Sequence, residues 1–305
     1  MIITRLRGGL GNQLFQYACG RALSLRTKNA MKLDVSGYQK TVQEKNRADT
    51  QRDYSLSHFA IQEDVASPAE IQALKYPLGI FSKGIRFIRI KIFRKFNIGF
   101  DRKLFKRLSR KSSVYLDGFW QAELYFKDHQ ESIRKEIRLK EPMSAAAREI
   151  ASEIQKNKDL DIAPVSIHVR RGDVSADGSG NAYFGISTPE YYAKAFNYID
   201  ERRKSGTITP ADFHVFIFSD DPAWVHANIR IPYASTVVSG RNIPDYEELI
   251  LMSLCNINII ANSTFSWWGA WLNSNPQKLV LAPSRWAVRG EHNHKDTVPS
   301  SWIRL

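Results

Sequence analysis

Three observations predict an α/β protein with a parallel sheet covered on both faces and length for a second domain. The chain opens as strand, glycine loop and helix. Past Asp159 short apolar runs of β type alternate regularly with helical patterns, which implies parallel strands joined by crossover helices. Its 305 residues are enough for two ordinary cores.

In order, residues 1–6 ("MIITRL") read as a strand, 7–12 as a glycine loop and 13–28 as a helix. There Leu14, Tyr17, Ala18, Arg21, Ala22 and Leu25 recur with helical spacing. Residues 30–35 form a second strand, and 36–82, polar with Pro68 and Pro77, hold only loops and short helices. Residues 113–121 ("SVYLDGFWQ") lead as a strand into a helix over 122–137, and 144–157, rich in strong helix formers, form another. Then come strands at 163–169, 213–219, 235–239, 257–261 and 278–284, with helices at 187–204, 220–229, 244–254 and 263–273 between them. Ser187 and Glu190 have capping-box spacing, with Pro189 in the first turn. No repeat or low-complexity linker is present. The boundary falls near 142–162, dividing an N-terminal domain, 1–150, from a C-terminal domain, 151–305.

Composition narrows the function classes. With 43% hydrophobic and 11% aromatic residues the chain is globular. No apolar run reaches the length of a membrane span, and the N-terminus lacks a signal-peptide layout, so a cytoplasmic protein is expected. Cys19 and Cys255, in apolar helical contexts, are expected to be reduced packing residues. The net charge of +13 is local: residues 83–111 carry twelve Lys and Arg against one acid, Asp101. Within "GIRFIRIKIFRKF" (84–96) apolar residues alternate with cations. That suits an interfacial segment docked peripherally on the anionic inner face of a membrane, or equally a buried helix hairpin with solvated charges. A patch this confined argues against nucleic acid as the partner.

In open α/β sheets ligands bind beyond the carboxyl ends of the strands, and four strand ends carry unusual chemistry. "HVRRGD" (168–173) reads as a surface turn or as a phosphate site, since planar guanidinium forks bind phosphate oxygens bidentately and keep their charge. Neutral His168 can add a hydrogen bond. "NSTFS" (262–266) caps a helix whose free N–H groups make an anion site. One cap residue would suffice, and four small polar residues exceed that need. "SDD" (219–221) suits a sugar hydroxyl or the N–H edge of a base, although Asp220 or Asp221 can equally cap the helix at Pro222. "RGGLGNQ" (7–13) is neither GxGxxG nor a Walker sequence; it reads as a tight backbone approach that exposes Asn12 and Gln13. Trp267, Trp268 and Trp271 read as core. No metal signature is present, His292 and His294 lacking companions in the sequence, so arginines and helix N–H groups are expected to do the work of a divalent cation.

Together "GGLGNQLFQYA", "HVRRGD", "FSDD" and "NIIANSTFSWWGAWL" resemble the inverting α-1,2-fucosyltransferases of bacterial polysaccharide synthesis, related to the animal blood-group H enzymes, nearly end to end. The resemblance implies a GT-B-type fold of two Rossmann-like domains facing a cleft. It implies transfer of fucose from GDP-β-L-fucose, without metal or other cofactor, to the 2-hydroxyl of a β-galactose-type acceptor, free or lipid-linked, as in O-antigen. Arg170, with Arg171, would stabilise charge on the β-phosphate, and His168 and Asp173 would hold those arginines or the sugar. Ser263, Thr264 and Ser266 would share the diphosphate, Asp220 or Asp221 would contact guanine or ribose, and Asn12 would sit near the reacting centre. No general base is evident; Asp173 is the candidate. The alternatives are a transferase for another GDP-sugar, an idle nucleotide-binding scaffold and a basic nucleic-acid-binding protein.

Overall fold

The computed structural model describes residues 1–38, 53–75, 99–171, 187–208, 212–286 and 294–305. The chain divides into two units, Met1–Lys140 with Glu291–Pro299, and Glu141–Gly290 with Ser300–Leu305.

The first unit contains β1 (Ile2–Arg5), α1 (Leu10–Thr27), β2 (Met31–Asp34), α2 (Pro68–Lys75), α3 (Arg102–Leu108), β3 (Val114–Leu116) and α4 (Gln130–Glu136). Its sheet is parallel, ordered β2-β1-β3, with Ile2 opposite both Met31 and Val114. Two boundaries differ from the sequence reading. Helix α1 starts at Leu10, with extended Gly9 as its N-cap, so Gly11, Asn12 and Gln13 form its first turns rather than a loop. The helix expected over 122–137 is broken into 3-10 turns at Glu123–Tyr125 and Lys127–His129 before α4. Tyr125 and Phe126 are both buried but serve different neighbours: Tyr125 packs on Phe100 and Phe105, and Phe126 on Phe15 of α1. Adjacent residues cannot share one helix face. Of the basic segment, 83–98 lies outside the described residues. Within the rest, Arg102–Leu108 form α3, capped by Asp101, which accepts from the Leu104 N–H at 2.8 Å; Leu104 and Phe105 point inward while Arg102, Lys103, Lys106 and Arg107 are exposed.

The second unit contains α5 (Ala145–Asp159), β4 (Ile162–Val169), α6 (Pro189–Lys204), β5 (Asp212–Ser219), α7 (Pro222–Asn228), β6 (Ala234–Val237), α8 (Asp245–Ser253), β7 (Ile257–Ile259), α9 (Thr264–Leu272), β8 (Leu279–Ala282) and β9 (Ile303–Arg304). The final strand was not anticipated; two residues are too short to carry a period. All six strands pair in parallel, in the order β6-β5-β4-β7-β8-β9. Numbered within the unit this is 3-2-1-4-5-6, the doubly wound nucleotide-binding order, and the direction reverses between β4 and β7.

The period of 2 along the strands builds a core on each face. Val165, Ile167, Val215 and Ile217 meet Tyr192, Phe196 and Ile199 of α6, whereas Phe216 and Phe218 meet Ile150 and Ile154 of α5 with Met252 and Cys255 by α8. The expected capping box is absent: Thr188 is the N-cap of α6 and Pro189 its first residue. Ser187 instead donates to the Asn262 side chain at 3.4 Å. Both cysteines are buried free thiols, and burial pushes the Cys255 thiol up to about 12, so neither is a nucleophile at neutral pH. Trp267, Trp268 and Trp271 are wholly buried core.

Helices α8 and α9 touch closely at Gly269, where a methyl group would lie 2.9 Å from Cβ of Met252. Gly269→Ala should cost ~1–3 kcal/mol through overpacking, read as a lower midpoint in urea unfolding. An unchanged midpoint would mean that the two helices separate without cost.

Candidate active site

At the switch point the end of β4 is fixed before its charged residues begin. Tyr192 of α6 donates to the His168 carbonyl at 2.9 Å, and Tyr191 lies 2.7 and 3.0 Å from the carbonyl oxygens of Ile260 and Leu281 at the ends of β7 and β8. Two neighbouring phenols thus hold three strand ends. His168 is 6% exposed, with its ring 5.5 Å from that of Phe265 in α9. Burial first, and then the charge of Arg170, hold its pKa down at about 3. It is therefore a neutral imidazole throughout the physiological range, able to hydrogen-bond but not to carry charge, and its Nδ1 has no partner among the described residues.

The two arginines have different surroundings. The Arg171 N–H donates to Asp220 at 2.8 Å, its guanidinium sits 3.5 Å from Asp221, and its Cζ lies 4.1 Å over the ring of Trp224. It folds back on α7. Asp221 also caps α7, accepting from the Trp224 N–H at 3.0 Å, so the capping role open in the sequence belongs to Asp221. Arg170 is half-buried beside His168. Asp173 lies outside the described residues, as does His292.

Across the switch point, Ser263 is the N-cap of α9 and accepts from the Phe265 N–H at 3.3 Å, while fully buried Ser266 donates to the Ser263 carbonyl at 3.4 Å. Both hydroxyls are thus used within the first turn. Thr264 is half-buried and is the hydroxyl of the three with no partner among the described residues. Sequence reasoning passed over Glu248 of α8. Burial, with a smaller push from Asp245, raises its carboxyl to about 7 against a bond from Ser239. Ser239 also accepts from the Ser219 N–H at 3.0 Å, which places Glu248 at the carboxyl ends of β5 and β6. Two adjacent acids inside the apolar "YEELILMSL" were the available signal. The other acid of the pair, Glu247, is buried and accepts from Ser144, the N-cap of α5.

Asn12 belongs to the first unit, where the glycine loop is clamped by α1. Gln16 accepts from the Arg7 N–H at 2.9 Å, Gln13 donates to the carbonyls of Gly8 and Asp53 at 3.0 and 2.8 Å, and Tyr38 donates to the Gly8 carbonyl at 2.9 Å. Gln13 is fully buried, contrary to the exposure expected of it, because its amide is needed for these backbone groups. Asn12 is half-buried and accepts from Gln121 Nε2 at 2.9 Å. Beyond β3, Asp117 pairs with Arg5 at 3.1 Å and Arg7 at 3.7 Å, and Arg7 stacks 4.3 Å over Phe119. Trp120 adopts φ +54°, a rarely populated region that costs ~1–3 kcal/mol for a bulky residue.

Among the described residues no three His, Cys, Asp or Glu side chains converge as metal ligands, and no helix is long and apolar enough to cross a membrane.

Two parallel α/β units, the second doubly wound, are the architecture of the GT-B-type fold. The chain belongs to glycosyl transferase family 11, whose model matches residues 87–305. It is 33% identical over 311 residues to an alpha-1,2-colitosyltransferase of Escherichia coli, covering 100% of this chain and 99% of that protein. It is 30% identical over 317 residues to the O-antigen biosynthesis glycosyltransferase WbnK of Escherichia coli, covering 98% and 99%. The fold is also similar to that of an Arabidopsis thaliana FUT1 mutant in complex with GDP, with TM-score 0.51, 11% identity and coverage of 97% of this chain and 72% of that one.

The raised Glu248 carboxyl makes stability fall with pH. Below its ordinary value of 4.5 the group is protonated in both states and costs nothing. Between 4.5 and about 7 the unfolded chain releases the proton and the folded one keeps it, so wild type should lose ~3 kcal/mol over that window and no more above it. Glu248→Gln should lack this slope in urea unfolding at a series of pH values. Equal slopes in both proteins would assign the pH dependence to other groups.

Proposed function

We propose that this chain transfers L-fucose from GDP-β-L-fucose, with inversion, to the 2-hydroxyl of a β-galactose-type residue in a surface polysaccharide of the O-antigen kind. The carrying observation is Arg170 beside a buried, neutral His168 at the switch point of the second sheet. As the acceptor oxygen forms its bond to C1 of fucose, the C1–O bond to the diphosphate breaks and negative charge grows on the β-phosphate. A guanidinium and the free N–H groups of α9, with Thr264, can take up that charge without a metal ion. His168 adds a hydrogen bond without competing for the proton. Asp220, at the end of the second strand, stands where doubly wound sheets place the acid that binds ribose, and Glu248 can accept from the N–H edge of guanine. The acceptor hydroxyl loses its proton as its bond forms, and Asp173 remains the proposed base. The names of the two relatives, an α-1,2-transferase and an O-antigen enzyme, support the linkage and the product class. The reaction is proposed for the cytoplasm, where a lipid-linked acceptor would be presented at the inner face of the membrane.

A second reading is favoured by the relative named a colitosyltransferase. Colitose is fucose without its 3-hydroxyl. Initial rates with GDP-fucose and GDP-colitose, on a panel of β-galactosides with EDTA present, separate the two. A site that hydrogen-bonds the 3-hydroxyl should prefer fucose by ~10⁴ in kcat/KM, because colitose leaves its polar groups unpaired. A preference for colitose installs the second reading, and an inactive panel or abolition by EDTA refutes the corresponding part of the proposal.

Arg170→Ala should lower kcat by ~10²–10³, as loss of one transition-state charge donor does, with an unchanged melting temperature. Arg170→Lys should restore little, since a point charge cannot fork across two oxygens. Near-normal turnover of a folded Arg170→Ala protein would remove Arg170 from the mechanism.

A further inference from the structure

Helix α3 is held to the first unit by one side. Asp101, its N-cap, donates its N–H to the Tyr125 hydroxyl at 3.0 Å, and that hydroxyl donates in turn to the Gly99 carbonyl at 2.9 Å. Phe105 is buried between Tyr125, with ring centroids 5.3 Å apart, and the Arg26 guanidinium, 4.5 Å over its ring. Leu104 is buried beside it. At ~100° per residue these two define the inward side, so Arg102, Lys103, Lys106 and Arg107 fall on the opposite arc, and all four are exposed. Arg110 and Lys111, just past the helix, are exposed as well. No acid interrupts the sequence from Arg102 to Lys111, and Asp101 is committed to the cap. A spacing of four brings Arg102 to Lys106 and Lys103 to Arg107, like charges that repel on a helix surface. Helix α4 mixes signs on its surface, where Glu131 meets Arg134 at 3.4 Å. The outer face of α3 is unfavourable by itself and favourable against a dense array of anions.

We propose that the exposed face of α3, with Arg110 and Lys111, docks this protein on an anionic phospholipid surface. Composition favours lipid over nucleic acid. The one aromatic residue between Arg102 and Lys111 is Phe105, and it is turned inward, so none of the six cations has a stacking ring beside it in sequence to receive a base. By sequence alone the residues just upstream, 84–96, interleave seven Ile and Phe with cations, as interfacial segments do. They lie outside the described residues, and the docking surface is confined to α3 and the two cations after it. Each basic residue near an anionic leaflet strengthens partitioning ~5-fold, so four acting together supply ~10²–10³-fold.

The test is flotation of the full chain with vesicles of phosphatidylcholine alone and of phosphatidylcholine with phosphatidylglycerol. Wild type should float with the anionic vesicles only, and be released as salt rises towards ~1 M, where the screening length falls to ~3 Å. Replacing Arg102, Lys103, Lys106 and Arg107 together by glutamine should weaken partitioning ~10²–10³-fold, and Lys103→Gln with Lys106→Gln alone ~25-fold. The melting temperature should stay level or rise, since both like-charge pairs are removed. Arg102→Lys with Arg107→Lys keeps the charge and should keep the binding. A control that removes the same charge elsewhere, at exposed Lys135, Arg138, Lys156 and Lys158, should float as wild type does. Wild type that ignores anionic vesicles at low salt would overturn the proposal, and retardation of a labelled RNA by that same protein would assign the face to nucleic acid. Equal losses in the control would assign vesicle binding to net charge, and undiminished binding by the α3 variants would place it elsewhere in the chain. Flotation needs no sugar nucleotide, so its outcome is separate from that of the transferase reading.

Discussion

The second unit depends on one buried carboxamide. Asn258 of β7 is 1% exposed; it donates to Ser166 of β4 and to the Met252 carbonyl of α8, both at 2.7 Å, and accepts from Asn273 just past α9 at 2.9 Å. Asn273 in turn donates to the Cys255 carbonyl at 2.7 Å. These four hydrogen bonds link β4, β7 and the ends of α8 and α9, the elements that frame the switch point. Buried polar networks of this kind specify one arrangement because a shifted register would strand several donors at once, each at a cost of ~1–3 kcal/mol. The spacing between the end of β4, which carries Arg170, and the start of α9, which carries Thr264, follows from it.

The same arrangement divides labour between adjacent arginines that look equivalent as letters. Stacked on Trp224 and paired with Asp221, Arg171 ties the end of β4 to α7. Charge in the site is tuned by burial more than by pairing. It keeps His168 neutral and Glu248 hard to ionise, so the imidazole acts as a dipole.

Much of the fold was legible because it rests on local pattern. The strands of the second unit alternate or run apolar, and the helices between them carry caps and periodicity, so order and type of element followed directly. What escaped depended on distant partners. The start of α1 was missed because the glycines of "GGLGNQ" read as loop, whereas Gly9 alone serves as the cap and Gln13 is drawn inward by backbone groups of residues 8, 53 and 55. The break in the helix over 122–137 follows from tertiary demands on Tyr125 and Phe126. Glu248 was passed over despite the paired acids of its apolar helix, because a carboxylate there is ordinarily a solvated one. His168, Arg170 and the cap of α9 were legible as chemistry at strand ends, and Ser263 and Ser266 as polar residues, although not as ones consumed by the helix itself.

The path of the chain has a consequence for how this protein can be cut and recombined. It enters the second unit after Lys140, returns to the first for Glu291–Pro299, and finishes in the second with Ser300–Leu305, where β9 extends the sheet and Trp302 lies 5.4 Å from Trp267. Neither unit is a continuous stretch of polypeptide. A single break at residue 140 yields two fragments, each lacking a piece of itself or bearing a piece of the other, and trimming the last six residues removes a strand rather than a tail. Chimaeras that exchange one half for that of a relative therefore need three junctions, and the natural unit of exchange is the whole enzyme.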